Sequence, residues 1–386
     1  MRIVIVIDQY SHDAASPEKT NGAAIWAFRF VEGLRKRGHE VRIVATGDPA
    51  PDKYVIKTKI YPLIDPIIKG NGMVLGRSDD DVVRKAYEGA DVVHFMLPFK
   101  LSVRAREIAE EMGIPCFSAF HCQPENVTYN LGLKHFPPAA TYIYGRYRRK
   151  FYRHVGHIHC PTEFIAGQLK KHKYRSKLHV FSNGVDEDFR PMKVERPEAW
   201  KDKIIIGMVA RLAAEKRQDL IIKAVAMSKY RDKIQLAFAG KGPKHKKYEK
   251  LAQKLGINPP SFRYYSKNEL IKLINMFDLY VHASEIEIEA VSCWEALACG
   301  IVPVIADAEL SATRFFALDE RSLFKSKDAR DLCKKIEYWI EHPEEKAVMR
   351  EKYIEAAQKN GLSQSLDKIE KAYAEIISEN RRKLEA

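Results

Sequence analysis

Short apolar runs rich in isoleucine and valine alternate along the chain with longer stretches in which apolar residues recur every three or four positions. Compact runs bounded by Gly, Pro, Asn or Asp read as buried strands, and the wider spacing reads as helices packed on them. In the first half this pattern predicts strands near Ile3–Ile7, Glu40–Ala45, Val92–Phe95, Cys116–Phe120, Ile158–Cys160 and Leu178–Phe181. Helices are predicted near Ala24–Lys36, Val103–Met112, Ala139–Val155 and Glu163–Lys171. The alternation restarts at Ile204–Val209 and continues through Gln235–Ala239, Leu279–Ala283 and Val302–Ile305. Strand–helix alternation implies a doubly wound α/β architecture with parallel sheets covered on both faces, and the restart implies two Rossmann-like domains. We expect domains over residues 1–190 and 191–362, joined around Ser182-Asn-Gly-Val-Asp186 and the proline-punctuated Arg190–Trp200. In the tail, 363–386, Leu366, Ile369, Tyr373, Ile376 and Ile377 share one helical face.

Length and composition agree with that division. A chain of 386 residues suits two domains, and 46% hydrophobic with 30% charged residues is an ordinary globular balance. No apolar run approaches the ~20 residues that span a bilayer. The opening Arg2-Ile-Val-Ile-Val-Ile-Asp8 is too short for a secretory signal, so the chain is expected to remain in the cytoplasm. The six cysteines include no C-x-x-C pair and read as buried thiols in a reducing compartment. A net charge of +14 admits nucleic acid, an anionic membrane or acidic small molecules as partners. No nucleic-acid module or aromatic stacking platform is present, so nucleic acid is not an expected partner.

Candidate chemistry gathers in the second half. Glu287 and Glu295 lie eight positions apart in a run that follows the strand Leu279–Ala283, turns, and opens a helix. Carboxylates accept hydrogen bonds from sugar hydroxyls, while free amides at a helix start attract phosphate. A nucleotide sugar needs both. Arg211 and Lys216 follow the strand Ile204–Val209, at the carboxyl edge where doubly wound sheets bind ligands. Solvated surface cations, and an acid complementing a helix dipole, would be the plain alternatives for single residues.

Arg211-Leu-Ala-Ala-Glu-Lys216, Gly240-Lys-Gly242-Pro243, Ser284–Glu287 and Glu295-Ala-Leu-Ala-Cys-Gly300 together resemble the family 4 retaining glycosyltransferases of the GT-B fold. The resemblance covers Arg211–Gly300 and implies two Rossmann-like domains facing a central cleft, with a C-terminal helix crossing back to the first. It implies a nucleotide-sugar co-substrate, with UDP-glucose the expected donor, and no other cofactor. Arg211 and Lys216 would hold the diphosphate, Glu295 the ribose and Glu287 the hexose, with Gly242 beside the donor. In the first domain, Gly22 in Thr20–Ala24 would lie by the donor phosphates, and His121 would stand between acceptor and donor. Asn183-Gly184-Val185-Asp186 matches a turn that members carry before the donor domain. One departure is clear: many members carry Gly-Phe-Gly where this chain has Ile288-Glu289-Ala290. Side chains, one of them a further acid, line that approach, and the donor hexose stays open. His154, His157 and His159 lack carboxylates at suitable spacing, so no metal is expected.

From Asn130 to Thr162 there is no acidic residue, while Lys134, Arg146, Arg149, Lys150 and Arg153 are present. On a helix, Tyr144, Tyr147, Phe151 and Val155 form one stripe and the last four of those cations another. With the proline-broken apolar loop Ile60–Ile68, this looks like the glycolipid-forming members, notably the diacylglycerol α-glucosyltransferases. The expectation is a peripheral enzyme on the inner face of the membrane, moving a hexose onto a hydroxyl acceptor such as diacylglycerol. A soluble sugar acceptor, a nucleotide-sugar epimerase of similar fold and a non-catalytic basic binding module are the alternatives. The oligomeric state is open.

Overall fold

The computed structural model describes residues 1–10, 22–62, 65, 68 and 72–385. The chain forms two compact units, Met1–Asn183 with Leu362–Ala386, and Gly184–Gly361. The division falls inside the Ser182–Asp186 run.

The first unit carries strands β1 (Arg2–Gln9), β2 (Glu40–Thr46), β3 (Lys53–Val55), β4 (Val92–Phe95), β5 (Cys116–Ala119), β6 (His157–Cys160) and β7 (Lys177–Val180). Its helices are α1 (Gly22–Lys36), α2 (Asp80–Tyr87), α3 (Lys100–Glu111), α4 (Pro124–Asn130), α5 (Pro137–Lys150) and α6 (Glu163–Lys171). The sheet order is β3-β2-β1-β4-β5-β6-β7, and the pairings are parallel. Ile3 to Ile7 are all buried because both faces of β1 are covered, which explains the unbroken apolar run.

The second unit repeats the plan with β8 (Ile204–Val209), β9 (Ile234–Ala239), β10 (Ser261–Arg263), β11 (Leu279–His282), β12 (Ile286–Glu287), β13 (Pro303–Asp307), β14 (Leu310–Ser311) and β15 (Leu323–Lys325). Helices α7 (Gln218–Met227), α8 (His245–Leu255), α9 (Lys267–Ile274), α10 (Val291–Ala298), α11 (Ala329–Glu341) and α12 (Pro343–Gln358) surround the parallel sheet β10-β9-β8-β11-β13-β15. Strands β12 and β14 form a separate parallel pair. In both units the strand order reverses beside the first strand, the topological switch where doubly wound sheets hold ligands.

Helix α13 (Leu362–Glu385) belongs to the first unit although it follows the second in sequence. Its buried Leu366, Ile369, Tyr373 and Ile376 join the core formed by Phe30, Leu34 and the strands. Each such side chain contributes roughly 1.5–3 kcal/mol of burial energy. Arg37 pairs with Asp367 at 2.6 Å and Glu370 at 2.9 Å, fixing the helix rotation at its edge. The predicted helix over Ala139–Val155 stops earlier, at Lys150, because Phe151 leaves helical backbone at φ −138°. Phe151 and Val155 are nevertheless buried, as is Tyr144.

Candidate active site

Three loops at the carboxyl ends of adjacent strands β9, β8 and β11 are tied together by backbone hydrogen bonds. Leu212 N–H donates to the Lys241 carbonyl at 3.0 Å, Lys244 N–H to the Leu212 carbonyl at 3.0 Å, and Glu285 N–H to the Glu215 carbonyl at 2.9 Å. The glycines of Gly240-Lys-Gly242-Pro243 permit this approach. A Cβ on Gly242 would stand 2.3 Å from the Leu212 carbonyl oxygen, and one on Gly240 2.2 Å from that of Ala210.

On this frame Lys216 Nζ lies 2.5 Å from Glu287 Oε1. His282 Nε2 lies 3.0 Å from the same oxygen. The side chains of Lys216, Glu287 and His282 are 18%, 11% and 1% exposed, so the three charges or dipoles meet largely out of water. Burial opposes ionisation of Glu287, but Lys216 and His282 outweigh it and hold the carboxyl well below the usual carboxylate range. Tyr280 Oη approaches His282 Nδ1 at 3.3 Å, which leaves the His282 Nε2 proton for Glu287. Arg211 Nη2 pairs with buried Glu215 at 2.5 Å, and its carbonyl accepts from Gln218 at 3.0 Å. The cation that opens α7, Arg217, is held between Glu285 and Asp219.

Glu287 occupies β12, paired in register with Ser311. Beyond it Ile288 is half-buried and Glu289 buried at 2% exposure. Ala290 caps α10 in the left-handed region, φ 60° and ψ 73°. Glu295 is buried in α10, and burial together with Glu295 pushes the neighbouring Cys299 thiol up to about 12. Ser284 Oγ is buried without a hydrogen-bond partner among the described residues. Lys216, Arg211, Gly242, Glu287, Glu289, Ala290 and Glu295 thus all belong to the second unit, where Lys216 and Glu287 meet directly.

The remaining sequence candidates belong to the first unit. Gly22 opens α1, while Thr20 and Asn21 lie outside the described residues. His121 follows β5, its ring 4.6 Å from Trp26 and 5.7 Å from His159 between centroids. Burial and His159 depress its pKa well below the ordinary histidine value, and its Nε2 has no hydrogen-bond partner among the described residues. Lys134, Arg146, Arg149, Lys150 and Arg153 are all exposed. Beside them Leu131, Leu133, Phe136 and Tyr142 are exposed apolar side chains. Of the loop Ile60–Ile68, Leu63, Ile64, Pro66 and Ile67 lie outside the described residues, and Ile60 is 65% exposed. Among the described residues no helix is long and apolar enough to cross a membrane.

Sequence reasoning missed His282 and Tyr280. Their signal was two polar-tipped residues at period two in the otherwise apolar run Leu279–Ala283, which places both on one face of β11.

Two Rossmann-like units with parallel sheets and a C-terminal helix returned to the first define the GT-B class. Comparison with known proteins agrees. The model described as Glycosyltransferase Family 4 matches residues 20–189, and that described as Glycosyl transferases group 1 matches residues 191–360. The chain belongs to the family 4 glycosyltransferases of the GT-B fold. It is 25% identical over 330 residues to the alpha-monoglucosyldiacylglycerol synthase of Streptococcus pneumoniae, covering 79% of this chain and 71% of that one. It is 24% identical over 322 residues to the GDP-mannose-dependent alpha-mannosyltransferase of Mycolicibacterium smegmatis, covering 79% of each. Among solved structures, Anabaena HepE in complex with UDP-glucose superposes with TM-score 0.74 at 17% identity, covering 98% of this chain and 100% of that one.

Proposed function

We propose that this glycosyltransferase moves glucose from UDP-glucose, with retention and without a catalytic metal, onto the hydroxyl of a membrane lipid such as diacylglycerol. The observation that carries the donor half is the Lys216–Glu287–His282 cluster at the switch point of the second unit. In the transition state positive charge grows at the anomeric carbon and negative charge on the leaving diphosphate. Lys216 and Arg211 stabilise that leaving charge more than the ground state. Glu287, kept ionised by two donors, is a weak base and a poor nucleophile, so its part is to hold the hexose hydroxyls and aim Lys216. The anomeric C–O bond to phosphate breaks as the acceptor oxygen bonds on the same face, and the acceptor proton passes to the leaving phosphate oxygen. Glu295 receives the ribose, and the backbone of Ile288–Ala290 with Gly242 lines the donor. Gly22 and His121, the latter a neutral imidazole, are the first unit's candidates for a part in the same reaction.

The lipid half rests on α5 and its approach. Exposed cations beside exposed Leu131, Leu133, Phe136 and Tyr142 give a surface suited to anionic headgroups above an acyl region. The name of the streptococcal relative points the same way. The mannosyltransferase relatives favour GDP-mannose as the second donor to try. A panel of nucleotide sugars offered with diacylglycerol vesicles and with soluble sugars tests both halves. The expected result is a glucosylated lipid from UDP-glucose, formed faster on anionic vesicles. Product from GDP-mannose alone, or only on a soluble sugar, would overturn the donor or the acceptor respectively.

A further inference from the structure

The face of the first sheet that lies under α13 is lined with histidine. His94, His157, His159 and His179 come from β4, β6, β6 and β7. His94 and His159 have settled partners: Nδ1 of the first lies 2.6 Å from Tyr373 Oη, and Nε2 of the second donates to the Phe181 carbonyl at 2.8 Å. His157 and His179 are diagonal neighbours on β6 and β7, with Nδ1 of the first 2.9 Å from Nε2 of the second. Helix α13 brings Glu375 and Glu379, one turn apart, over this pair.

We propose that His157 Nδ1, His179 Nε2 and a Glu375 oxygen form a binding site for a divalent transition ion of the zinc class. One ligand atom from each of these three residues lies within 4.8 Å of the other two, the single such grouping of three among the described residues. Two nitrogens bound at about 2.1 Å to a tetrahedral ion sit roughly 3.4 Å apart, so small ring rotations convert the observed N···N contact into a ligand pair. The second shell is already built. His157 Nε2 lies 3.0 Å from Glu379 Oε2, so the proton resides there and Nδ1 is left as an acceptor. That carboxylate–histidine arrangement is what orients an imidazole toward a metal, and it does nothing for the His157–His179 contact that the other tautomer would not do as well. The His179 Nε2 proton, which now bridges the two rings, is replaced by the ion as the ring shifts its proton to Nδ1 through solvent. Glu375 is paired with Lys177, whose side chain is 54% exposed and free to swing outward. Three protein ligands leave a fourth position for water, and Glu375 at 34% exposure leaves a route in from solvent. The consequence is a pin between the last helix and the far edge of the first sheet, separate from the donor cluster.

The test is calorimetric titration of tag-free, chelator-stripped full chain with Zn²⁺, repeated with Co²⁺ to read its visible d–d bands. We expect one tight equivalent, tetrahedral Co²⁺ bands and a rise in melting temperature with Zn²⁺. His179→Gln should abolish the tight equivalent, Glu379→Gln should weaken it about 10–100-fold as a lost second-shell partner does, and Lys177→Ala should leave it equal or tighter. Circular dichroism of each variant without metal establishes that it folds, and Glu379→Gln stands in should His179→Gln not. Absence of a tight equivalent in the native chain, or tight binding unchanged in both His179→Gln and Glu379→Gln, would overturn the site.

Discussion

At the scale of single residues, two side chains sit against their intrinsic preferences. Asp8, the penultimate residue of β1, is fully buried. Gly76 N–H donates to its Oδ1 at 2.9 Å, and Oδ2 has no partner among the described residues. Burial outweighs that hydrogen bond and raises its pKa from 3.8 to about 7. The unfolded chain therefore loses this proton near pH 4 while the native protein keeps it to near pH 7. Stability from this group is complete below pH 4, falls as pH rises between those values, and stays low above 7. At 1.36 kcal/mol per pKa unit the loss is up to about 4 kcal/mol. Asp8→Asn should flatten that slope, so melting curves of the two proteins should diverge in favour of the variant from pH 5 to pH 8. Parallel curves would remove the buried-acid reading. Ala290 is the second case. An L-residue with a Cβ at φ 60° costs roughly 1–2 kcal/mol, partly offset by the chain entropy that alanine saves, so Ala290→Gly should stabilise by about 0.5–1 kcal/mol in denaturant titration. The strain was legible in the sequence only as a departure from glycine; the positive φ itself needed coordinates.

At the scale of elements, long buried strands announced themselves and short edge strands did not. Val92–Phe95 and Ile204–Val209 coincide with the strands formed, because a central parallel strand must be apolar on both faces. Strands β3, β10 and β15 were missed, since Lys53-Tyr-Val55, Ser261-Phe-Arg263 and Leu323-Phe-Lys325 are three residues long and each carries a charged residue at one end. Loop chemistry was legible where glycine or charge recurs at fixed spacing, as at Gly240–Pro243, but the His282–Glu287 contact was not. Nor was the pairing of His157 with Glu379, whose partners are 222 residues apart, although His157 itself was in view. The braced loops also yield a prediction. Gly242→Ala forces its Cβ against the Leu212 carbonyl, so the Arg211–Lys216 loop must shift. Turnover should fall at least about tenfold, since even ~1 Å of misplacement is costly, while the far-ultraviolet spectrum stays native. Unchanged turnover would detach this turn from the donor loops.

At the scale of the whole molecule, the +14 charge acquires a location. Arg146, Arg149 and Lys150 of α5 are exposed and outside the ion pairs that neutralise the α3 and α13 surfaces. With each cation near an anionic surface worth about 1 kcal/mol, the triple change Arg146→Glu, Arg149→Glu and Lys150→Glu should weaken binding to anionic vesicles by at least ~100-fold. Release of UDP from UDP-glucose into water should be spared. Equal vesicle binding by the variant would return the basic face to simple solvation. Fold class was legible at this scale from strand–helix alternation alone, whereas the acceptor was not, because charge names a surface and not the molecule presented on it.

The most direct measurement is single-turnover transfer from UDP-glucose to diacylglycerol in anionic vesicles, comparing the native chain with Lys216→Ala and Glu287→Gln and reading the product anomer by nuclear magnetic resonance. We expect an α-glucoside from the native chain and transfer rates lower by about 10²–10³ in both folded variants, the loss that follows when a group stabilising transition-state charge is removed. Native rates in both variants would contradict that expectation.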